Sequence, residues 1–142
     1  MFMGLSYHTI DAKGRLIIPA KFRDSLGEEF VVSMGLDGCL YILGNGEWQN
    51  FMVKLDSLND FSHKTRQIKR HFRAGAEKGT LDKQGRVLIP DNLRKAVEID
   101  KDVVVIGNGN ILEIWSRDRW DKASEEINAE EIAEQMAMGM GM

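Results

Sequence analysis

The chain has 142 residues, 43% hydrophobic and 29% charged, with a formal net charge of −3. No apolar run approaches the roughly 18 residues of a membrane-spanning helix, and the single cysteine, Cys39, leaves no internal disulfide and no multi-cysteine zinc site. These values predict a globular protein of the reducing cytoplasm, and the first six residues lack the basic and apolar regions of a signal peptide.

Residues 5–10 alternate as a first strand, and residues 15–18 read as its partner across a tight turn. In that turn Asp11 bonds its own backbone and Gly14 supplies a positive φ, the chemistry of a β-hairpin. Pro19 suits the start of a short helix that runs to Leu26 and stops at Gly27. Strands at 29–34 and 39–43 follow, joined through Gly35, Leu36, Asp37 and Gly38. After Gly44-Asn45-Gly46 the period changes, and Trp48, Met52, Leu55 and Leu58 share one face of a helix. A second helix from about Ser62 to Gly75 places Phe61, Thr65, Ile68 and Phe72 inward, with Arg66, Lys69, Arg70 and Arg73 elsewhere.

The plan then repeats. Thr9-Ile10-Asp11-Ala12-Lys13-Gly14-Arg15-Leu16-Ile17-Ile18-Pro19 returns 71 positions later as Thr80-Leu81-Asp82-Lys83-Gln84-Gly85-Arg86-Val87-Leu88-Ile89-Pro90. Strands at 103–107 and 111–115 match the earlier pair at an offset of 72, as Trp120 matches Trp48. Two tryptophans in equivalent places read as core anchors for the appended helices. The predicted class is mainly β with helices (α+β), built from duplicated ββαββ modules. A repeat of roughly 45 residues is too short to bury a core of its own, so the two halves should fold together. The units are a first module at 5–47, a helical linker at 48–75, a second module at 76–120 and a tail at 121–142. In the tail, residues 128–136 read as an acidic helix and residues 137–142, rich in Met and Gly, as disordered.

Charge is unevenly distributed. Lys64, Arg66, Lys69, Arg70, Arg73 and Lys78 face only Glu77 within 63–78, whereas 118–134 holds Asp118, Asp121, Glu125, Glu126, Glu130, Glu131 and Glu134. The acidic excess sits at the C-terminus, leaving the hairpins and the middle basic. The basic helix reads either as a solvated face or as a place where Arg66, Arg70 and Arg73 contact a neighbouring subunit or phosphate.

The hairpins carry the most specific chemistry. Asp11 with Arg15, and Asp82 with Arg86, lie four apart across a turn, close enough for the carboxylate to orient the guanidinium. Two readings stand: an ion pair that staples the turn, or a pair of forked donors suited to guanine O6 and N7 in a major groove that admits a two-stranded ribbon. Doubling favours the second, because pairing equivalent hairpins puts both arginines on one side. Lys13 and Lys83, with Lys21, Arg23, Arg94 and Lys95 nearby, would then serve phosphates, which position without specifying. Paired aspartates from duplicated halves also suggest an aspartic protease, but neither has the Thr-Gly or Ser-Gly that such a loop uses. His8, His63 and His71 have no metal-ligand spacing, and no cofactor or phosphate-loop motif is present.

The two Asp-x-x-x-Arg pairs, the Ile-Pro after each, and the Asp37-Gly38-Cys39-Leu40 and Leu112-Glu113-Ile114-Trp115 strands resemble the MraZ family, built from two SpoVT-AbrB modules. The similarity covers residue 1 to about residue 120 and includes the basic central helix. It implies a swapped-hairpin, AbrB-like β-barrel made by both halves of one chain and a ring-like homo-oligomer. It further implies a non-enzymatic, nucleoid-associated transcription factor that binds double-stranded DNA at short G-rich direct repeats upstream of the bacterial division and cell-wall gene cluster. Arg15, Arg86, Lys13 and Lys83 would contact DNA; Asp11, Gly14, Asp82 and Gly85 would orient the hairpins. An antitoxin-like interaction module shares the SpoVT-AbrB fold, but such proteins usually carry one module and a disordered tail.

Overall fold

The computed structural model describes residues 1–140. Its strands are β1 (Phe2–Thr9), β2 (Arg15–Ile17), β3 (Glu29–Met34), β4 (Leu40–Gly44), β5 (Glu77–Thr80), β6 (Arg86–Leu88), β7 (Asp102–Gly109) and β8 (Ile111–Ser116). The helices are α1 (Ala20–Leu26), α2 (Asn45–Asp56), α3 (His63–Ala74), α4 (Asp91–Ala96), α5 (Arg117–Glu125) and α6 (Ala129–Met140). The fold is α+β, and each half has the expected strand, strand, helix, strand, strand order.

The pairing differs from two local hairpins. The chain does reverse at Asp11–Arg15, but β1 lies along β7 from the other half, with Phe2 opposite Gly109 and Thr9 opposite Asp102. Likewise β5 pairs with β3, and β2 pairs with β6. Only the β3–β4 and β7–β8 ladders are local. Alternation of side chains specifies which face a strand buries, not which strand lies beside it, so the residues alone did not give a distant partner, whereas the family resemblance did imply strands exchanged between the halves. The result is a six-stranded antiparallel sheet in the order β1-β7-β8-β4-β3-β5 and a separate β2–β6 ribbon. The sheet's ladders end at β1 and β5, so the predicted barrel is not closed by hydrogen bonds among the described residues. The ribbon closes the core by packing: Leu16, Ile18, Val87 and Ile89 are fully buried in one cluster with Leu40, Ile42, Leu112 and Ile114.

A pseudo-two-fold axis runs through this arrangement. Leu16 pairs with Val87, its own counterpart 71 positions on, and Tyr41 pairs with Glu113, its counterpart at 72. In an antiparallel ladder a residue faces its own counterpart only on such an axis. Each half therefore gives its first strand to the other half's ladder, and neither encloses a complete core.

Helices α2 and α3 pack on the sheet through Leu55 and Phe72. Phe72 meets the Phe51 ring edge-on at 4.8 Å and stacks near Tyr41 at 6.3 Å, while His71 Nε2–H donates to the Gly35 carbonyl at 2.7 Å. Burying a ring of this size stabilises by roughly 1.5 to 3 kcal/mol. Phe61 departs from expectation: it is 94% exposed. Ser62 caps α3 through its hydroxyl, so Phe61 precedes the first turn and the helical period does not reach it. Leu58, beyond the end of α2, is exposed for the same reason. Trp48 and Trp120 are half-buried, each against an aromatic neighbour, Phe51 and Trp115.

The tail is also different. Helix α6 continues to Met140, through residues expected to be disordered; Ala and Met have high intrinsic helix propensity. Residues 141 and 142 of that stretch lie outside the described residues. Up to Gly139 every α6 residue except Ala137 is exposed.

Candidate nucleic-acid interface

The site is built from the two turns and the ribbon between them. In the first turn the Gly14 amide donates to the Asp11 carbonyl at 2.9 Å, and the Asp11 amide to the Arg15 carbonyl at 3.0 Å. Gly14 has φ 84° and Gly85 φ 76°, the left-handed region such turns require. The Asp11 side chain completes the loop: Oδ1 accepts from the amides of Lys13 (3.0 Å) and Arg15 (2.9 Å), and Oδ2 from Arg15 Nε at 2.7 Å. Asp82 repeats this bond for bond, with the Gln84 and Arg86 amides at 2.9 Å and Arg86 Nε at 2.8 Å. Each guanidinium is thus held by its Nε, and neither Nη end is used by its own turn.

The ribbon brings both arginines together. Arg15 sits opposite Leu88 and Ile17 opposite Arg86, so these four share the outer face while Leu16 and Val87 point into the core. Arg86 Nη1 lies 3.9 Å from Asp11 Oδ2, linking the halves. The two Asp and two Arg charges cancel, leaving Lys13 and Lys83 as the net positive charge of the turns. Both lysines are exposed, and their side chains have no polar partner among the described residues.

Arg23 and Arg94 have a different task from their exposed neighbours. Their Nε atoms donate to the Ile18 and Ile89 carbonyls at 2.8 and 3.0 Å. Each guanidinium lies against the other half's turn glycine, and a Cβ added at Gly14 would come within 2.9 Å of Arg94 Cζ. Cross-half bonds from the Ile18 amide to Gly85 (2.9 Å) and the Ile89 amide to Gly14 (2.8 Å) fix the same corner. Lys21 is exposed, with Nζ 4.9 Å from the Phe22 ring centroid, and Lys95 pairs with Asp91 at 2.9 Å.

The basic helix α3 is more neutralised than its composition suggests. Lys69 is buried and paired with Asp60, while Arg73 binds Asp56 at 2.7 Å. Arg66 donates to the Asp60 carbonyl at 3.0 Å. Lys64 and Arg70 are exposed, and their side chains have no polar partner among the described residues. The structure does not bring Arg66, Arg70 or Arg73 to the ribbon's hydrogen-bond network.

Both turn carboxyls are held below the ordinary 3.8, chiefly by the Arg15 or Arg86 backbone N–H and then by the guanidinium. A protease dyad needs one carboxyl that keeps its proton, the opposite shift. Because the folded pKa is depressed, each Asp contributes stability that is complete above 3.8 and lost as pH falls through its lower, folded value. Asp82→Asn should therefore lower the melting temperature at pH 7 and flatten its decline below pH 3.8. Thermal melts from pH 7 to 2 check this, and an unchanged acid limb would show that the turn carboxylate does not couple to folding.

Among the described residues no group of three or more His, Cys, Asp or Glu is placed to hold a metal, and no helix is long and apolar enough to cross a membrane. Sequence reasoning passed over Ile17 and Leu88, 47% and 60% exposed beside the arginines. No sequence signal marked them, since each sits between two aliphatics in a continuous apolar run, and only the pairing shows that the flanking residues are buried and these face out.

The family described as "MraZ protein, putative antitoxin-like" matches this chain twice, over residues 1–71 and 72–140. The chain is 53% identical over 137 residues to the transcriptional regulator MraZ of Lachnoclostridium phytofermentans, covering 96% of each chain. It is 49% identical over 138 residues to that of Thermoanaerobacter sp. (strain X514), again covering 96% of each. To that of Acetivibrio thermocellus it is 47% identical over 140 residues, covering 97% of this chain and 98% of the relative. Each of the two family matches takes in one Asp-Arg turn, and with near full-length identity they show that this chain belongs to the MraZ family of transcriptional regulators.

Proposed function

We propose that this protein is a sequence-specific, non-enzymatic regulator that reads double-stranded DNA through the β2–β6 ribbon. The observation that carries the reading is the pair of guanidinium groups, Arg15 and Arg86, each oriented by its own aspartate on one outer face. A two-stranded ribbon fits the major groove, and a forked donor with its Nη end available matches guanine O6 and N7. Lys13 and Lys83 at the turn tips contact the flanking phosphates, and Lys21 and Arg70 are further exposed cations for phosphate or a neighbouring subunit. The sites are short G-rich direct repeats upstream of the division and cell-wall gene cluster, including the protein's own gene. Subunits join in a ring that engages several repeats, in the cytoplasm at the nucleoid. The relatives' name as transcriptional regulators supports the class.

A gel shift and footprint on the DNA upstream of its own gene test this reading. Evenly spaced protected repeats rich in guanine are expected. Binding that does not distinguish this DNA from a scrambled duplex at the same salt would overturn it.

A further inference from the structure

The ribbon's outer face carries two exposed aliphatic residues that the arginine reading leaves unused. Ile17 and Leu88 occupy equivalent positions in the duplication, each two residues after its arginine. The antiparallel register crosses them, so Leu88 stands directly beside Arg15 and Ile17 beside Arg86. Such cross-strand neighbours have Cβ atoms about 4.5 to 5.5 Å apart. The core does not need them, because the ribbon's buried contacts come from Leu16, Ile18, Val87 and Ile89 on the opposite face. On a surface meant to meet phosphates and polar base edges, both halves nevertheless present a branched aliphatic at 47% and 60% exposure.

The major groove offers one apolar group, the C5-methyl of thymine. We infer that Ile17 and Leu88 are specificity residues that contact thymine methyls next to the guanines read by Arg86 and Arg15. The cross-strand spacing is comparable with the 3.4 Å rise between successive bases, so an aliphatic beside a guanine-reading arginine reaches an adjacent base pair. Each half of the ribbon then reads a two-base unit, a guanine by hydrogen bonds and a thymine by van der Waals contact. The pseudo-two-fold presents the two units in opposite senses.

This inference rests on the DNA reading above, and the test separates the two. The full-length protein is titrated against the upstream duplex in three forms: natural, with deoxyuridine in place of thymidine, and with 7-deazaguanine in place of guanine. Deoxyuridine removes only the methyl, and 7-deazaguanine removes the N7 acceptor. Loss of one methyl contact should weaken binding about fourfold, the change that corresponds to ~0.8 kcal/mol for one buried carbon. The double variant Ile17→Ala/Leu88→Ala should bind natural DNA more weakly, keep its response to 7-deazaguanine, and lose its response to deoxyuridine. Ile17→Ser/Leu88→Ser, which has no methyl to set against thymine, gives a second route should the alanine pair fold poorly. Wild-type indifference to deoxyuridine, with the 7-deazaguanine response intact, overturns the methyl contacts and leaves the arginine reading standing. So does a variant that responds to deoxyuridine as the wild type does but assembles differently, which assigns the aliphatics to a second copy. Indifference to both analogues overturns the DNA reading and the methyl contacts with it.

Discussion

Replacing Arg15 and Arg86 by alanine together is expected to abolish discrimination between cognate and scrambled DNA while leaving the fold and the assembly in place. Each bidentate guanidinium–guanine contact is worth roughly 1 to 3 kcal/mol of discrimination, so each single variant should lose about fivefold to 150-fold. The fold should survive because both side chains lie on the outer face, above a fully buried Leu16 and Val87. The two losses should not add fully, since Arg86 Nη1 is 3.9 Å from the Asp11 carboxylate that orients Arg15. Lysine at either position should not rescue binding, because a point charge can occupy the phosphate-facing field but cannot present two parallel donors. The measurement is competitive titration at fixed salt, since phosphate contacts alone would make affinity look preserved at low ionic strength. Discrimination that persists in the double variant would reduce the Asp-Arg pairs to turn staples.

What was legible in the sequence was local. The Asp-x-x-Gly-Arg turn could be read because its bonds close within five residues, and the structure makes them twice. The helices α1, α4 and α3 followed from proline, glycine and capping residues for the same reason. What escaped was non-local. Nothing in residues 5–10 says that the neighbour is β7 rather than β2, since both partners satisfy the same alternation. The basic run could not be discounted from composition, because its acidic partners Asp56 and Asp60 lie on α2 and in the following loop, at spacings no helix rule covers. Ile17 and Leu88 were hidden by their neighbours: a run of aliphatics reads as core until pairing shows that alternate members face out. The duplication was visible as sequence, but only the register, with Leu16 against Val87 and Tyr41 against Glu113, reveals that its two copies share one axis.

Affinity for DNA carrying three repeats is expected to exceed that for one repeat by roughly 10² to 10⁴, although no contact differs between them. One chain offers a single ribbon, two lysines at its tips and a net charge of −3, with the exposed acidic helix α6 adding repulsion from DNA. Phosphate neutralisation and a few base contacts on that scale give weak binding, about micromolar at physiological salt. In the proposed ring, the second ribbon meets its repeat at an effective concentration set by the assembly rather than by the solution. Specificity then depends on spacing as well as on base identity, because subunits fixed in a ring can reach only repeats presented on the same face of the duplex. Inserting about 5 base pairs between neighbouring repeats, half of the roughly 10 to 10.5 per turn, rotates the second site away and should return affinity to the single-repeat value. An insertion of a full turn should restore part of the gain if the ring or the DNA bends enough to follow. Affinities would be measured on one, two and three repeats and on the two insertion series, with assembly followed by sedimentation in the same buffer. Equal affinity for one and three repeats, or no response to the half-turn insertion, would mean that each ribbon acts alone and that the ring is not what selects the operator.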